Sequence, residues 1–214
     1  MVDSQKFSKM LDQSSIDPIE VDKIYKALYQ RQQLSPQYNS YIIDYLTNNK
    51  GDYLEIGCFN GAFIAQIAKK FPNKNIYGID PFIADEHIQG HKPDNFMPDI
   101  KENLYKNIKD INNITFWEST TYNCLQKEKY KDLSNVSCIL IDGSHRYKDI
   151  IVDIDFILNI KNKHEMLIIF DDMQVPDVIE AVMYFKTKLN IRIKASKRHK
   201  TTGEYFIISS YEKN

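Results

Sequence analysis

The chain has 214 residues, 43% hydrophobic and 27% charged, which suits one globular domain with a sizeable core. Its 28 Lys and Arg residues nearly balance 29 Asp and Glu residues, and a net charge of -1 provides no global basic field to recruit nucleic acid or an anionic membrane. Short apolar runs, a polar amino terminus and three cysteines without disulfide spacing predict a cytoplasmic protein with no membrane span.

Residues 1–48 are predicted to form an amino-terminal helical segment that packs on the main domain. Apolar residues between positions 17 and 34 recur at close to helical spacing, Pro36 breaks the pattern, and YNSYIIDYLTN predicts a second helix. No motif assigns this segment a function. It could cover a ligand or form a contact between subunits, so a homo-oligomer is one interpretation.

From residue 49 onward, short apolar runs alternate with helical patterns. Five predicted strands read YLEIG, NIYGID, NITFWE, VSCILID and EMLIIFDD, and a helical pattern follows each of them. Two final runs, IRIKAS and GEYFIISS, lie too close together for an intervening helix. The pattern predicts an α/β, Rossmann-like domain over 49–214: a mainly parallel seven-stranded sheet with helices on both faces and an antiparallel carboxyl-terminal hairpin.

Ligands of such sheets bind beyond the carboxyl ends of the strands. The first strand runs into LEIGCFNGAF, where Glu55, Gly57 and Gly61 are spaced as E-x-G-x-x-x-G. Gly57 would permit a tight turn close to a ligand, and Gly61 would begin a helix whose free N–H groups face that ligand. Phe59 stands where a dinucleotide-binding motif needs its second glycine, which favours a smaller ligand.

Asp80 ends the second strand, where a carboxylate suits hydrogen bonding to the two hydroxyls of a ribose. The alternative for Asp80 is a turn or a helix cap before Pro81. Together, Glu55, Gly57, Gly61 and Asp80 resemble the S-adenosylmethionine site of class I methyltransferases. The resemblance implies that Gly57 lines the methionine part of the cofactor and that Asp80 holds its ribose. The cofactor-binding residues that it implies are Glu55, Gly57, Cys58, Asn60, Gly61, Asp80, Pro81, Glu118, Ser119 and Asp142.

Three carboxylates are predicted to meet at the ends of the last two parallel strands. Asp142 ends the fourth strand, and Asp171 and Asp172 end the fifth. Three neighbouring anions repel one another, and a divalent cation would relieve that repulsion. An all-oxygen site favours Mg²⁺, Mn²⁺ or Ca²⁺ over zinc. The alternative assigns Asp142 to a turn and Asp172 to a helix cap, with Asp171 facing solvent.

The stretch IDGSHRYKDIIVDI, followed by LIIFDD, resembles the D-G-x-H-x-Y and D-D signature of metal-dependent O-methyltransferases, including relatives of those that act on macrolide sugars and glycans. The resemblance covers roughly residues 50–185. It implies that Asp142, Asp171 and Asp172 bind a divalent metal, with Mg²⁺ expected. The metal would chelate vicinal hydroxyls of a small-molecule or glycan acceptor, and His145 or Asp142 would take the acceptor proton.

Three alternatives stay open from the sequence. A catechol-like phenol also presents vicinal hydroxyls, so it could be the acceptor. An NAD-dependent oxidoreductase could use the same topology, and a non-catalytic module could retain it as a scaffold. Phe59 and the carboxylates argue against the oxidoreductase, and the carboxylates argue against the scaffold. The connection over 81–98 is long enough to act as a lid over the acceptor.

Overall fold

The computed structural model describes residues 38–83, 96–161, 165–173, 175–189, 192–198 and 205–211. The predicted helix within 17–34 and most of the connection over 81–98 lie outside these residues. The helices are α1 (Asn39–Asn48), α2 (Ala62–Lys70), α3 (Phe96–Ile108), α4 (Thr121–Gln126), α5 (Tyr147–Asn159) and α6 (Pro176–Leu189), with a short 3-10 helix at Lys129–Leu133. The strands are β1 (Asp52–Ile56), β2 (Ile76–Ile79), β3 (Ile114–Trp117), β4 (Val136–Ile141), β5 (Met166–Phe170), β6 (Arg192–Arg198) and β7 (Tyr205–Tyr211).

The first five strands form a parallel sheet in the order β3-β2-β1-β4-β5. This confirms the predicted α/β, Rossmann-like fold with a parallel sheet. The strand order reverses between β1 and β4, so the loops that follow these strands open a crevice at their carboxyl ends. Backbone pairing continues as β5-β7-β6, and β7 runs antiparallel to both of its neighbours. The residues that would join β6 to β7 lie outside the described ranges.

Helices cover both faces of the parallel sheet, as predicted. The α1, α2 and α3 helices pack on the face that carries Tyr53 and Leu140, and α4, α5 and α6 pack on the face that carries Leu54 and Ile139. The helices therefore shield both faces from water, which explains why β4 and β5 are buried at every position. Within the part of the chain that is described, no helix combines the length and the apolar character needed to cross a membrane.

The helical pattern that follows the third strand forms only a short helix, α4, in the structure. It begins where the Thr120 side chain accepts a hydrogen bond from the N–H of Asn123 at 3.2 Å, which is a typical helix cap. It ends at Gln126. Glu128 then has a φ of 54°, a left-handed conformation that interrupts the helical path, and a separate 3-10 turn follows.

The α1 helix attaches to the sheet through one apolar stripe. Tyr38, Ile42 and Leu46 recur every four residues, so they lie on the same face, and all three are buried. The hydroxyl of Tyr45 donates to the carbonyl of Glu165 at 2.8 Å. The last part of the predicted amino-terminal segment therefore packs on the core, while its division from the main domain after residue 48 stays a prediction.

Asp153 is a carboxyl group buried in α5. It accepts a hydrogen bond from the hydroxyl of Thr121 at 2.5 Å, and burial raises its pKa from the ordinary 3.8 to about 7. A pKa that is higher in the folded state means that folding favours the protonated form. The resulting stabilisation is full below about pH 4 and is lost as the pH rises through about 7.

Asp153→Asn should therefore flatten the dependence of stability on pH. Between about pH 5 and pH 8, the free energy of unfolding of the wild-type protein should fall by up to about 3 kcal/mol as Asp153 ionises. The variant has no ionisable group at this position and should not show this fall. Chemical denaturation at several pH values measures this difference. Asp155→Asn, with an exposed side chain on the same helix, is the control and should follow wild type. Identical pH dependence in wild type and Asp153→Asn would contradict the raised pKa.

Candidate active site

The loop between β1 and α2 is a tight turn built on left-handed backbone. Gly57, Phe59 and Gly61 have φ values of 88°, 48° and 73°, and glycine adopts such values without steric cost. A Cβ on Gly57 would lie 2.0 Å from the backbone oxygen of Asp142. The close approach that Gly57 permits here is thus to the end of β4, and its contact with a cofactor stays a prediction.

Asp80 organises the same loop. Its carboxylate accepts hydrogen bonds from the backbone N–H groups of Cys58 at 2.9 Å, Phe59 at 2.8 Å and Phe82 at 2.7 Å. A carboxylate has about four acceptor positions, so about one remains for a ligand. Burial raises the pKa of Asp80, and the three hydrogen bonds offset part of that effect. Asp80 therefore has the turn-forming role that the sequence left open. Its hydrogen bonding to a ribose stays a prediction.

Glu55 lies buried beneath this loop. The hydroxyl of Tyr53 donates to its carboxyl group at 2.9 Å. Burial, together with the nearby charge of Asp80, raises the pKa of Glu55 to about 8. The pKa of Asp142 is also raised, first by burial and then by neighbouring acids. The ends of β1, β2 and β4 therefore concentrate acidic groups where a positively charged ligand would be favoured.

The residues after β3 lie beside Asp80. The N–H of Ser119 donates to the carbonyl of Asp80 at 3.2 Å, which ties the end of β3 to the end of β2. The carboxylate of Glu118 accepts from Lys101 at 2.5 Å and from Tyr105 at 2.8 Å, and these bonds lower its pKa. Glu118 is thus engaged by α3, and its contact with the cofactor stays a prediction.

The other predicted cofactor residues lie in the loops that follow β1 and β2. Cys58 is buried, and its thiol donates to the carbonyl of Glu55 at 3.6 Å. The side chain of Asn60 accepts from the N–H of Ala62 at 3.1 Å and so caps the start of α2. Pro81 is partly buried directly after Asp80. The structure therefore brings the predicted cofactor residues to one edge of the sheet.

A second polar group lies at the ends of β4 and β5. Asp142, His145 and Asp172 each place one ligand atom within 4.8 Å of the other two. Nε2 of His145 is 2.5 Å from Oδ2 of Asp172. These residues line a pocket together with Asp171. Oxygen and nitrogen atoms at this mutual distance can surround one divalent cation, whose ligands lie about 2.0–2.6 Å away.

Backbone strain marks the same place. Asp172 has a φ of 51°, which costs a residue other than glycine about 1–2 kcal/mol. Asp171, one residue earlier, accepts a hydrogen bond from the N–H of Asp172 at 2.9 Å. Strained residues of this kind cluster at functional sites.

The sequence predicts Asp142, Asp171 and Asp172 as metal ligands and His145 as a base. The structure places one ligand atom of His145 within 4.8 Å of ligand atoms of Asp142 and Asp172. Asp171 lines the same pocket and contacts Tyr38. The ligand role of Asp171 and the base role of His145 both stay predictions.

Tyr38 is a site residue that the sequence analysis missed. Its hydroxyl donates to Oδ2 of Asp142 at 3.3 Å and also contacts the carboxylate of Asp171. The only sign of this role in the sequence was the hydroxyl of Tyr38, a polar group at the start of the apolar stripe formed with Ile42 and Leu46. That signal was weak, because tyrosine is common in apolar stripes.

Comparison by sequence finds one short similarity. No family model matches the chain. A tRNA (guanine-N(7)-)-methyltransferase of Clostridium novyi (strain NT) is 37% identical over 62 residues, which make up 29% of this chain and 27% of that protein. The similarity thus spans less than a third of either protein.

Several solved structures share the architecture. An O-methyltransferase from Bacillus cereus in complex with S-adenosylhomocysteine has a TM-score of 0.63 at 14% identity, covering 96% of both chains. A TDP-rhamnose 3'-O-methyltransferase of calicheamicin biosynthesis has a TM-score of 0.56 at 15% identity, covering 95% of this chain and 91% of that one. Fibrillarin in complex with Nop5p has a TM-score of 0.55 at 15% identity, covering 76% and 73%. The chain therefore has the fold of class I S-adenosylmethionine-dependent methyltransferases.

Proposed function

We propose that the protein is an S-adenosylmethionine-dependent O-methyltransferase that uses a divalent cation and acts on a sugar hydroxyl of a small molecule or glycan. The observation that carries this proposal is the position of the Asp142, His145 and Asp172 group beside the β1–α2 loop, on a sheet with class I methyltransferase strand order. Similarity to an O-methyltransferase and to a sugar 3'-O-methyltransferase supports it.

The buried acids near the β1–α2 loop fit S-adenosylmethionine. Glu55 and Asp80 are buried, and burial raises the pKa of each. The sulfonium and ammonium groups of S-adenosylmethionine would offset that cost of negative charge. The diphosphate of NAD would add negative charge at the same place, so the oxidoreductase alternative is disfavoured. The proposed cofactor residues are Glu55, Gly57, Cys58, Asn60, Gly61, Asp80, Pro81, Glu118, Ser119 and Asp142.

The residues at the ends of β4 and β5 fit a divalent cation. Two carboxylates and one imidazole are common metal ligands, and the pKa of Asp142 is raised first by burial and then by the neighbouring carboxylates. We propose Asp142, His145 and Asp172 as the ligands. An imidazole shifts the preference from Mg²⁺, which takes oxygen ligands, toward a transition ion such as Mn²⁺.

The strand ends supply the alignment that methyl transfer requires. When bound, the cation would lower the pKa of an acceptor hydroxyl and S-adenosylmethionine would supply the methyl group. Asp142 stands between the two binding regions, and its N–H donates to the carbonyl of Ile56 at 2.8 Å. This bond fixes the end of β4 against the end of β1. We assign to Asp142 both cation binding and removal of the acceptor proton.

A second candidate function is methylation of a nucleic-acid base. The 62-residue similarity to a tRNA methyltransferase favours it. The net charge of -1 disfavours it, because polyanion binding depends on an excess of Lys and Arg. A catechol-like acceptor would use the same cation site as a sugar, so only an assay separates those two.

The remaining proposals concern organisation. We propose that residues 1–48 form an appended helical segment and that residues 49–214 form the catalytic domain. A turn between β6 and β7 would complete the predicted hairpin and the seven-stranded sheet. Free, buried thiols at Cys58, Cys124 and Cys138 support a cytoplasmic location.

The test is a methyl-transfer assay with radiolabelled S-adenosylmethionine and three acceptors. These are a sugar with vicinal hydroxyls, a catechol and an unmodified tRNA transcript. We expect label on the sugar in the presence of Mn²⁺, and none after a chelator is added. Label on the catechol alone would support the phenol alternative, and label on tRNA in the presence of chelator would support the second candidate. Binding of NAD without binding of S-adenosylmethionine would refute the proposal.

A further inference from the structure

Tyr38, directly before α1, links that helix to the candidate cation site. Its hydroxyl lies 3.3 Å from Oδ2 of Asp142, and the same hydroxyl contacts the carboxylate of Asp171. Tyr38 itself is only 5% exposed.

Packing determines where this hydroxyl lies. The stripe of Tyr38, Ile42 and Leu46 seats α1 on the sheet, and Tyr38 lies at the end of the stripe nearest the carboxyl edge. Its ring meets the ring of Phe63 on α2 edge-on, with 5.7 Å between centroids and 88° between planes. Two helices therefore hold the ring, and its hydroxyl reaches Asp142, 104 positions further along the chain.

We infer that Tyr38 is a positioning residue for the cation site. Its hydrogen bond to one oxygen of Asp142 orients that carboxylate and leaves the other oxygen for a cation shared with His145 and Asp172. This inference rests on the proposed cation site. It means that α1, which carries no recognisable motif, completes the site.

The test is the affinity for Mn²⁺ of Tyr38→Phe, which removes the hydroxyl and keeps the ring. We expect affinity to fall about 10-fold to 100-fold, as when a partner of a metal ligand is removed elsewhere. Electron paramagnetic resonance of free Mn²⁺ measures this without cofactor or acceptor. Calorimetry should show unchanged affinity for S-adenosylmethionine, and excess Mn²⁺ should restore turnover.

Tyr45→Phe is the matched control. Tyr45 lies on the same helix, and its hydroxyl donates to the carbonyl of Glu165, away from the site. We expect this variant to bind Mn²⁺ as wild type does. Equal affinity in wild type and Tyr38→Phe would overturn the inference and leave the cation site standing. Absence of Mn²⁺ binding by wild type would refute the cation site itself.

Thermal unfolding without metal separates positioning from folding. Tyr38→Phe should unfold close to the wild-type temperature, because the ring contacts are retained. Phe63→Leu supplies the comparison, because it loosens the packing of the Tyr38 ring and keeps the hydroxyl. Suppose that Phe63→Leu and Tyr38→Phe lower the unfolding temperature equally and also lower the affinity for Mn²⁺ equally. The loss of affinity would then come from altered packing of the ring, and the inference would fail.

Discussion

Asp142→Asn is expected to lower methyl transfer by about 1000-fold or more. A cation at such a site contributes several kcal/mol to catalysis, and each 1.36 kcal/mol is tenfold in rate. Asparagine keeps the size of the side chain but removes the negative charge and replaces one oxygen with an N–H donor. That donor would face either the cation or the Tyr38 hydroxyl, which now donates to this carboxylate.

Single-turnover assays in Mn²⁺ measure the effect of Asp142→Asn. Affinity for S-adenosylmethionine should fall far less than turnover, because the backbone bond between the ends of β1 and β4 is kept. Asp110→Asn, whose side chain is 86% exposed, removes the same charge far from the pocket and should behave as wild type. Full methyl transfer by wild type in excess chelator would contradict both the cation site and the resemblance to metal-dependent O-methyltransferases.

The same assays assign the role of His145. If His145 is a cation ligand, His145→Ala should lower both the affinity for Mn²⁺ and the turnover, each by about 10-fold to 100-fold. If His145 is instead a general base, His145→Ala should lower turnover by about 100-fold and leave the affinity for Mn²⁺ unchanged. We expect the first result, because His145 offers a ring nitrogen within 4.8 Å of ligand atoms of both Asp142 and Asp172.

Asp80→Ala is expected to abolish binding of S-adenosylmethionine and to destabilise the fold. Three backbone N–H groups in the loops after β1 and β2 would lose their acceptor. Each buried donor left unsatisfied costs about 1–3 kcal/mol, so the free energy of unfolding should fall by about 3 kcal/mol or more. Loss of cofactor binding by this variant alone would therefore not identify a ribose contact.

Asp80→Asn separates the two roles of this residue. Its carbonyl oxygen can still accept from the N–H groups of Cys58 and Phe59, so the loss of stability should be smaller than for Asp80→Ala. If Asp80 also holds a ribose, affinity for S-adenosylmethionine should still fall about tenfold or more, since hydrogen bonds to charged groups contribute about 1.5–3 kcal/mol. Denaturation and calorimetry measure the two effects. A folded Asp80→Asn variant with wild-type affinity would remove Asp80 from the cofactor site.

The architecture and the edge that carries the site could be predicted from the sequence. Periods of two and 3.6 residues are properties of short segments, so the alternation of strands and helices is readable in runs such as VSCILID. Parallel strands in a covered sheet then bring their carboxyl ends to one edge, which placed Asp80, Asp142 and Asp172 at that edge. These predictions needed no knowledge of contacts between distant residues.

The composition of the site depends on contacts that no local period encodes. Asp171 and Asp172 are adjacent in sequence, and Asp171 contacts Tyr38 while Asp172 contacts His145. Tyr38 reaches Asp142 across 104 positions because α1 packs on the sheet. Gly57 is required by the backbone of β4 and not by its own turn alone. Each of these results from tertiary packing, in which side chains meet according to the geometry of the whole fold and not according to their spacing along the chain.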